Sequence, residues 1–130
     1  MPRKKRTGTN ATPANPRTGR LPQGSVAWAA YPPTDAADKR RPVLILSNGQ
    51  ADSSDDDYVV VPITRALSRE PFTLAIQPGD VEGDETLTGE IRCNKPFTMP
   101  NAFVFERIGT LDSDMVEQVV AALYASILVI

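Results

Sequence analysis

The sequence predicts a mainly β fold of the α+β type, about six short strands in a small twisted barrel or open sheet capped by a C-terminal helix. Three observations predict it. Residues 43–46 are an unbroken apolar run, introduced by Arg41-Pro42 and followed by the turn signal Asn48-Gly49. The run is too short for a helix and fits a strand buried on both faces, with proline at a strand start, where it is tolerated. Residues 58–64 repeat that design and end on Thr64, so two buried strands bring an arginine and a threonine to their ends. After Asp112, apolar residues recur at helical spacing almost to the last residue.

The elements follow in order. Residues 1–22 are proline, threonine, glycine, asparagine, arginine and lysine with almost nothing apolar, a composition that cannot repay its ordering entropy. They are expected to form a disordered basic arm, leaving 23–130 as one domain. Residues 24–31 predict a first strand, with Val26 and Trp28 on one face and Pro32-Pro33 ending it. Residues 50–57 form an acidic loop. Its Asp55–Asp57 cluster lacks the alternating spacing and terminal glutamate of a calcium loop, so a solvated turn is expected. Residues 65–70 are a loop, and 72–77 alternate as a strand with Phe72, Leu74 and Ile76 on one side. Turns are expected at 77–80 and 82–85.

Residues 86–95 predict a further strand whose alternation matters. Leu87, Gly89, Ile91 and Cys93 fall on an inward face; Thr88, Glu90, Arg92 and Asn94 form a polar row on the other. A last strand spans 103–111. Asp112 then suits a helix N-cap, with Asp114 and Glu117 near the positive end of the helix dipole. Met115, Val119, Leu123 and Ile127 share a stripe flanked by Val116, Val120 and Tyr124, predicting a helix packed on the sheet.

Composition narrows the chemistry. The 130 residues carry a net charge of −2, yet residues 1–20 hold six basic groups and no acids while the remainder holds eight basic and sixteen acidic. A basic arm on an acidic body suits a polyanionic or acidic partner, or a solvated leader. Histidine is absent and Cys93 is the only cysteine, which excludes disulfides, Cys/His zinc sites and histidine-based acid–base catalysis. No metal or cofactor is called for. Residues 119–130, the most apolar segment, are about half a membrane span. A cytoplasmic protein without membrane association is expected.

Five stretches, in order, resemble the landmarks of the MazF/PemK toxins, the ribonuclease toxins of bacterial toxin–antitoxin pairs. They are Gly24-Ser25-Val26-Ala27-Trp28, Arg41-Pro42-Val43-Leu44-Ile45-Leu46-Ser47, Val59-Val60-Val61-Pro62-Ile63-Thr64, Thr88-Gly89-Glu90-Ile91-Arg92-Cys93-Asn94-Lys95-Pro96 and Ile108-Gly109-Thr110-Leu111. The fourth is similar to the Kid/PemK branch, where Arg-Cys-Asp-Gln-Pro follows Thr-Gly. The resemblance implies an SH3-like β-barrel (CcdB/MazF-like) with a terminal helix, a homodimer, metal-independent cleavage of single-stranded mRNA at a short sequence, and neutralisation by a cognate antitoxin.

Cleavage of this kind uses the ribose 2′-hydroxyl as nucleophile, and its largest demand is stabilising charge on the phosphate, a task suited to arginine. The resemblance assigns Arg41 and Arg92 to the scissile phosphate and Thr64 to a hydrogen bond there. The branch has an aspartate base where this chain has Asn94, whose amide accepts no proton. It also has a histidine and a glutamate before the Arg-Pro strand, where this chain offers only Asp35 and Asp38. Glu90, expected on the face of Arg92, is the candidate replacement base. Thr88, Asn94, Arg65 and Phe72 are expected to bind RNA, Phe72 by stacking on a base. Two alternatives stand beside the nuclease: a catalytically weak RNA-binding relative, and a gyrase-poisoning toxin of the CcdB type. The latter depends on a C-terminal Trp-Gly-Ile, whereas this chain ends Leu128-Val129-Ile130.

Overall fold

A computed structural model of the chain describes residues 19–30, 39–49 and 56–130. These residues form β1 (Ser25–Ala30), β2 (Arg40–Ile45), β3 (Asp57–Thr64), β4 (Thr73–Ile76), β5 (Val81–Glu82), β6 (Gly89–Arg92), β7 (Phe97–Pro100), a 3-10 turn, β8 (Val104–Leu111) and α1 (Ser113–Ile127). The arm at 1–18, the loop bearing Asp35 and Asp38, and the acidic stretch 50–55 lie outside the described residues.

Strand order is β4-β6-β3-β2-β1-β8-β5, with β7 added on β3, so the sheet curls into a nearly closed barrel capped by one helix. The expected apolar runs are its central strands. Alternation along them divides the core in two. Val26, Leu44, Val61, Ile63 and Ile91 point to one side, where Leu111 and the α1 residues Val116 and Val119 close over them. Ala27, Ala29, Val43, Ile45, Tyr58 and Val60 point to the other, joined by Met99 and Val104. Residues 43–46 are therefore buried on both faces because each face meets a different cluster.

β3 is long because it serves two neighbours along one edge. Its first half pairs with β7 (Asp57↔Pro100 to Val60↔Phe97), its end with β6 (Ile63↔Ile91, Thr64↔Glu90). Pro62, which has no amide hydrogen to donate, stands between the two pairings. β8 is crossed closely by β5. A side chain at Gly109 would collide with the Glu82 carbonyl and with Val81, so only glycine lets the strands meet there.

The structure departs from the expected elements at several places. β7 lies where no element is expected, the 3-10 turn takes the first residue of the expected last strand, and the two-residue β5 runs into the expected turn at 82–85. β6 stops at Arg92, and a turn follows in which the Lys95 amide donates to the Arg92 carbonyl at 3.1 Å. Phe72 sits outside β4 in a left-handed conformation (φ 62°). On α1, Asp112 occupies the N-cap position but makes no side-chain capping bond. The helix also buries less than its stripe suggests: Val116 and Val119 are buried, while Val120, Tyr124 and Ile127 are exposed. Arg20 and Leu21, expected in the arm, attach to the barrel. The Arg20 guanidinium stacks 4.4 Å from the Tyr58 ring centroid and donates to the Asp57 carbonyl, and the Leu21 amide donates to the Tyr58 hydroxyl.

Candidate functional site

The register decides which side chains share a face, because directly paired residues of antiparallel strands project to the same side. Val43 pairs with Pro62, and both face the Ala27–Val43–Val60 side of the sheet. Two residues further along each strand stand Arg41 and Thr64. Thr64 pairs with Glu90, Glu90 with Ala75, and Arg92 with Thr73. Arg41, Thr64, Glu90 and Arg92 therefore belong to one face, where the apolar cluster gives way to polar side chains. Arg41 is exposed and pairs across β1 with Ala29.

Glu90 differs from its expected place in an exposed row. It is 4% exposed, and its carboxylate is covered by the loop 66–72. Oε1 accepts from the Ser68 amide (3.1 Å) and the Ser68 hydroxyl (2.8 Å), and Oε2 accepts from the Arg69 amide (3.3 Å). The bond from the Ser68 amide, outweighing the upward effect of desolvation, holds this carboxyl below the ordinary carboxylate range, helped by the Ser68 hydroxyl, the Arg69 amide and Thr73. A carboxylate so stabilised in its charged form is a poor proton acceptor, which is the physical objection to Glu90 as the base.

Arg92 is held between two acids. Its Nε faces Glu90 Oε1 at 3.3 Å and its Nη1 faces Glu70 Oε1 at 3.5 Å. The Nε contact is an ion pair without hydrogen-bond alignment, so this buried N–H has no hydrogen-bond acceptor. The Thr64 hydroxyl donates to the Ala66 carbonyl at 3.2 Å, which closes the strand end and turns the chain into the loop. Neighbouring Arg40 pairs with Glu106 at 3.3 Å and lies 4.2 Å above the Phe105 ring centroid.

The expected RNA contacts divide into groups. Arg65 and Thr88 line one open cleft of about 200 Å³ with Leu67, Gln77 and Gly89. Phe72 lies at the other end of β4 and is 39% exposed, so it is not part of the core. Asn94 is half-buried in the turn after β6, outside the alternating row. Gly89 joins the cleft to the strand ends. A Cβ there would lie 2.6 Å from the Thr64 carbonyl oxygen, so glycine is what allows β6 to approach β3 this closely.

Residues 22–127 match the family described as PemK-like, MazF-like toxin of type II toxin-antitoxin system. The chain belongs to this toxin family. Solved structures of similar fold agree. A mycobacterial endoribonuclease in complex with its cognate antitoxin is 21% identical, with a TM-score of 0.67 over 82% of this chain and 94% of that one. MazE-MazF from Deinococcus radiodurans is 17% identical, with a TM-score of 0.68 over 85% and 97%. The Mycobacterium tuberculosis toxin MazF-mt6 is 21% identical, with a TM-score of 0.60 over 78% and 94%. No curated protein sequence matches the chain. No helix among the described residues is long and apolar enough to cross a membrane.

Sequence reasoning missed the loop that covers this PemK/MazF-like site. Ser68-Arg69-Glu70-Pro71 has turn composition, but its anchor, Glu90, lies 22 residues beyond Ser68. The only local signal was a serine followed two residues later by a glutamate and a proline. Strand alternation pointed the other way, since it treats every polar residue on one face as exposed.

Proposed function

We propose that this chain is an endoribonuclease that cleaves single-stranded mRNA at a short sequence without a metal ion, and that an antitoxin restrains it. The ribose 2′-oxygen attacks phosphorus and the bond to the 5′-oxygen breaks. The products are a 2′,3′-cyclic phosphate and a 5′-hydroxyl, the nucleophile's proton leaving to a base and the departing oxygen gaining one. Arg41 and Arg92 stabilise the extra charge on the non-bridging oxygens, and Thr64 hydrogen-bonds the same phosphate. The observation that carries the reading is the register that gives these three residues one face at the ends of β2, β3 and β6. Thr88 and Arg65 in the open cleft and exposed Phe72 are the contacts for bases on either side of the cut. The working enzyme is a homodimer, and the unpartnered half of α1 is the surface it offers to a second copy.

The test is direct. Purified chain incubated with a long RNA in the presence of chelator yields fragments with cyclic-phosphate ends at a recurring short sequence, and Arg92→Ala yields them more slowly by about a hundredfold or more. Intact RNA under these conditions refutes the nuclease. The second reading, a weakly catalytic RNA binder, is favoured by two features: Asn94 cannot act as base, and the Glu90 carboxylate is already occupied. RNA retained in a gel shift but left uncut would select it.

A further inference from the structure

We propose that Glu90 is a positioning residue whose buried carboxylate clamps the loop 66–72 onto β6 and fixes the orientation of Arg92. The clamp has three parts. The first is the set of donors: two backbone amides and one hydroxyl of the loop converge on the carboxylate, at 2.8 to 3.3 Å. The Ser68 hydroxyl oxygen then accepts from the Glu70 amide at 3.2 Å, and Thr73, opposite Arg92, donates to the Glu70 carbonyl at 2.8 Å. Three consecutive residues, Ser68 to Glu70, are thus tied to two strands.

The second part is room. Glu90 is flanked across the sheet by Thr64 and Ala75, two small side chains, so the loop can lie down over the carboxylate. The third is conformational cost. Arg69 (φ 60°) and Phe72 (φ 62°) both adopt a left-handed backbone that non-glycine residues avoid, and such geometry persists only where surrounding contacts over-determine it. The carboxylate supplies those contacts for Arg69, and the Cys93 amide, donating to the Phe72 carbonyl at 3.0 Å, supplies one for Phe72.

The arrangement has a direct consequence for Arg92. Glu90 Oε1 meets its Nε, while Glu70, carried on the clamped loop, meets Nη1, so one carboxylate aims the guanidinium both directly and through the loop. Glu90 lies beneath this loop with its carboxylate occupied by loop donors, so its task is to hold Arg92 and to present Leu67 and Phe72, both exposed. The effect on cleavage rests on the nuclease reading above; the clamp itself does not.

Amide hydrogen exchange of the full chain tests the clamp, beside steady-state RNA cleavage across pH. In Glu90→Gln the Ser68 and Arg69 amides should exchange about tenfold faster or more, since charge-assisted bonds to a carboxylate are lost. Ser68→Ala, which keeps the carboxylate but removes one of its donors, should speed exchange at Arg69 and Glu70 by a smaller factor. In both variants KM for RNA should rise more than kcat falls, and the acid limb of the pH profile should persist. Parental exchange at Arg69 in either variant overturns the clamp. Loss of the acid limb in Glu90→Gln with unchanged exchange overturns it in favour of a general base. A parent chain that cuts no RNA refutes the nuclease reading alone, and the exchange rates still decide the clamp.

Discussion

Arg92 is 19% exposed and faces two acids, so its guanidinium is oriented in advance at the cost of competing with any phosphate for the same N–H groups. Replacing it tests both aspects. Arg92→Ala should lower kcat by about a hundredfold or more, the usual scale for one charge-stabilising donor. Arg92→Lys should recover little, because a point charge cannot serve two carboxylates and a phosphate in one plane. Glu90 gives a pH prediction. Its folded carboxyl is held below the ordinary range, so the stability it contributes is fully present above that range and is lost as pH falls through the lower folded value. The charged side chain in contact with it is Arg92, which in turn meets the loop's Glu70. Exchange protection at Ser68 and Arg69 should therefore hold from neutral pH through the ordinary carboxylate range and collapse only below that range, ahead of the core strands. At this scale the sequence was half legible. Arg41 and Thr64 could be placed from their strands alone. The burial of Glu90 could not, because it depends on a loop distant in sequence that folds back over it.

Among the elements, β2 and β3 were legible because an unbroken apolar run leaves few alternatives to a central strand. β7 was not, since Pro96 and Pro100 bracket three residues that only the edge of β3 makes into a strand. The Phe97/Met99 alternation was its one signal. β5 is two residues long and exists because Gly109 lets it approach β8. Gly89 plays the corresponding part between β6 and β3, with a φ of 154° and the Thr64 carbonyl in the place a side chain would take. Gly89→Ala should cost about 1–3 kcal/mol, measured by urea unfolding, and should displace the end of β3 that carries Thr64. The same change at Gly79, which has open space around it but a left-handed φ of 93°, should cost less, near 1 kcal/mol.

For the whole molecule, charge and apolar surface are both unevenly distributed. The acidic body opposes broad, salt-driven attraction to RNA, while the first 18 residues carry five of the fourteen basic groups. Removing them should weaken RNA binding most at low salt and flatten the dependence of log affinity on log salt, leaving the cut position unchanged. Filter binding over a salt series measures this. The helix was legible as amphipathic, but its far edge was misjudged as covered. Val120, Tyr124 and Ile127, with Leu128 to Ile130 beyond them, leave an apolar strip on the surface. On the proposed homodimer, Tyr124→Asp should shift the chain toward monomer by light scattering with little change in fold.

The lone thiol offers a clock for this molecule. Cys93 is fully buried, burial pushes its titration up to about 11, and its own amide pins Phe72, the residue just before β4. Reaction with an aromatic disulfide at neutral pH must therefore wait for the barrel to open around β4 and β6. Labelling time would record how often that edge comes apart, and bound nucleic acid or inhibitor peptide would lengthen it in proportion to the grip each exerts.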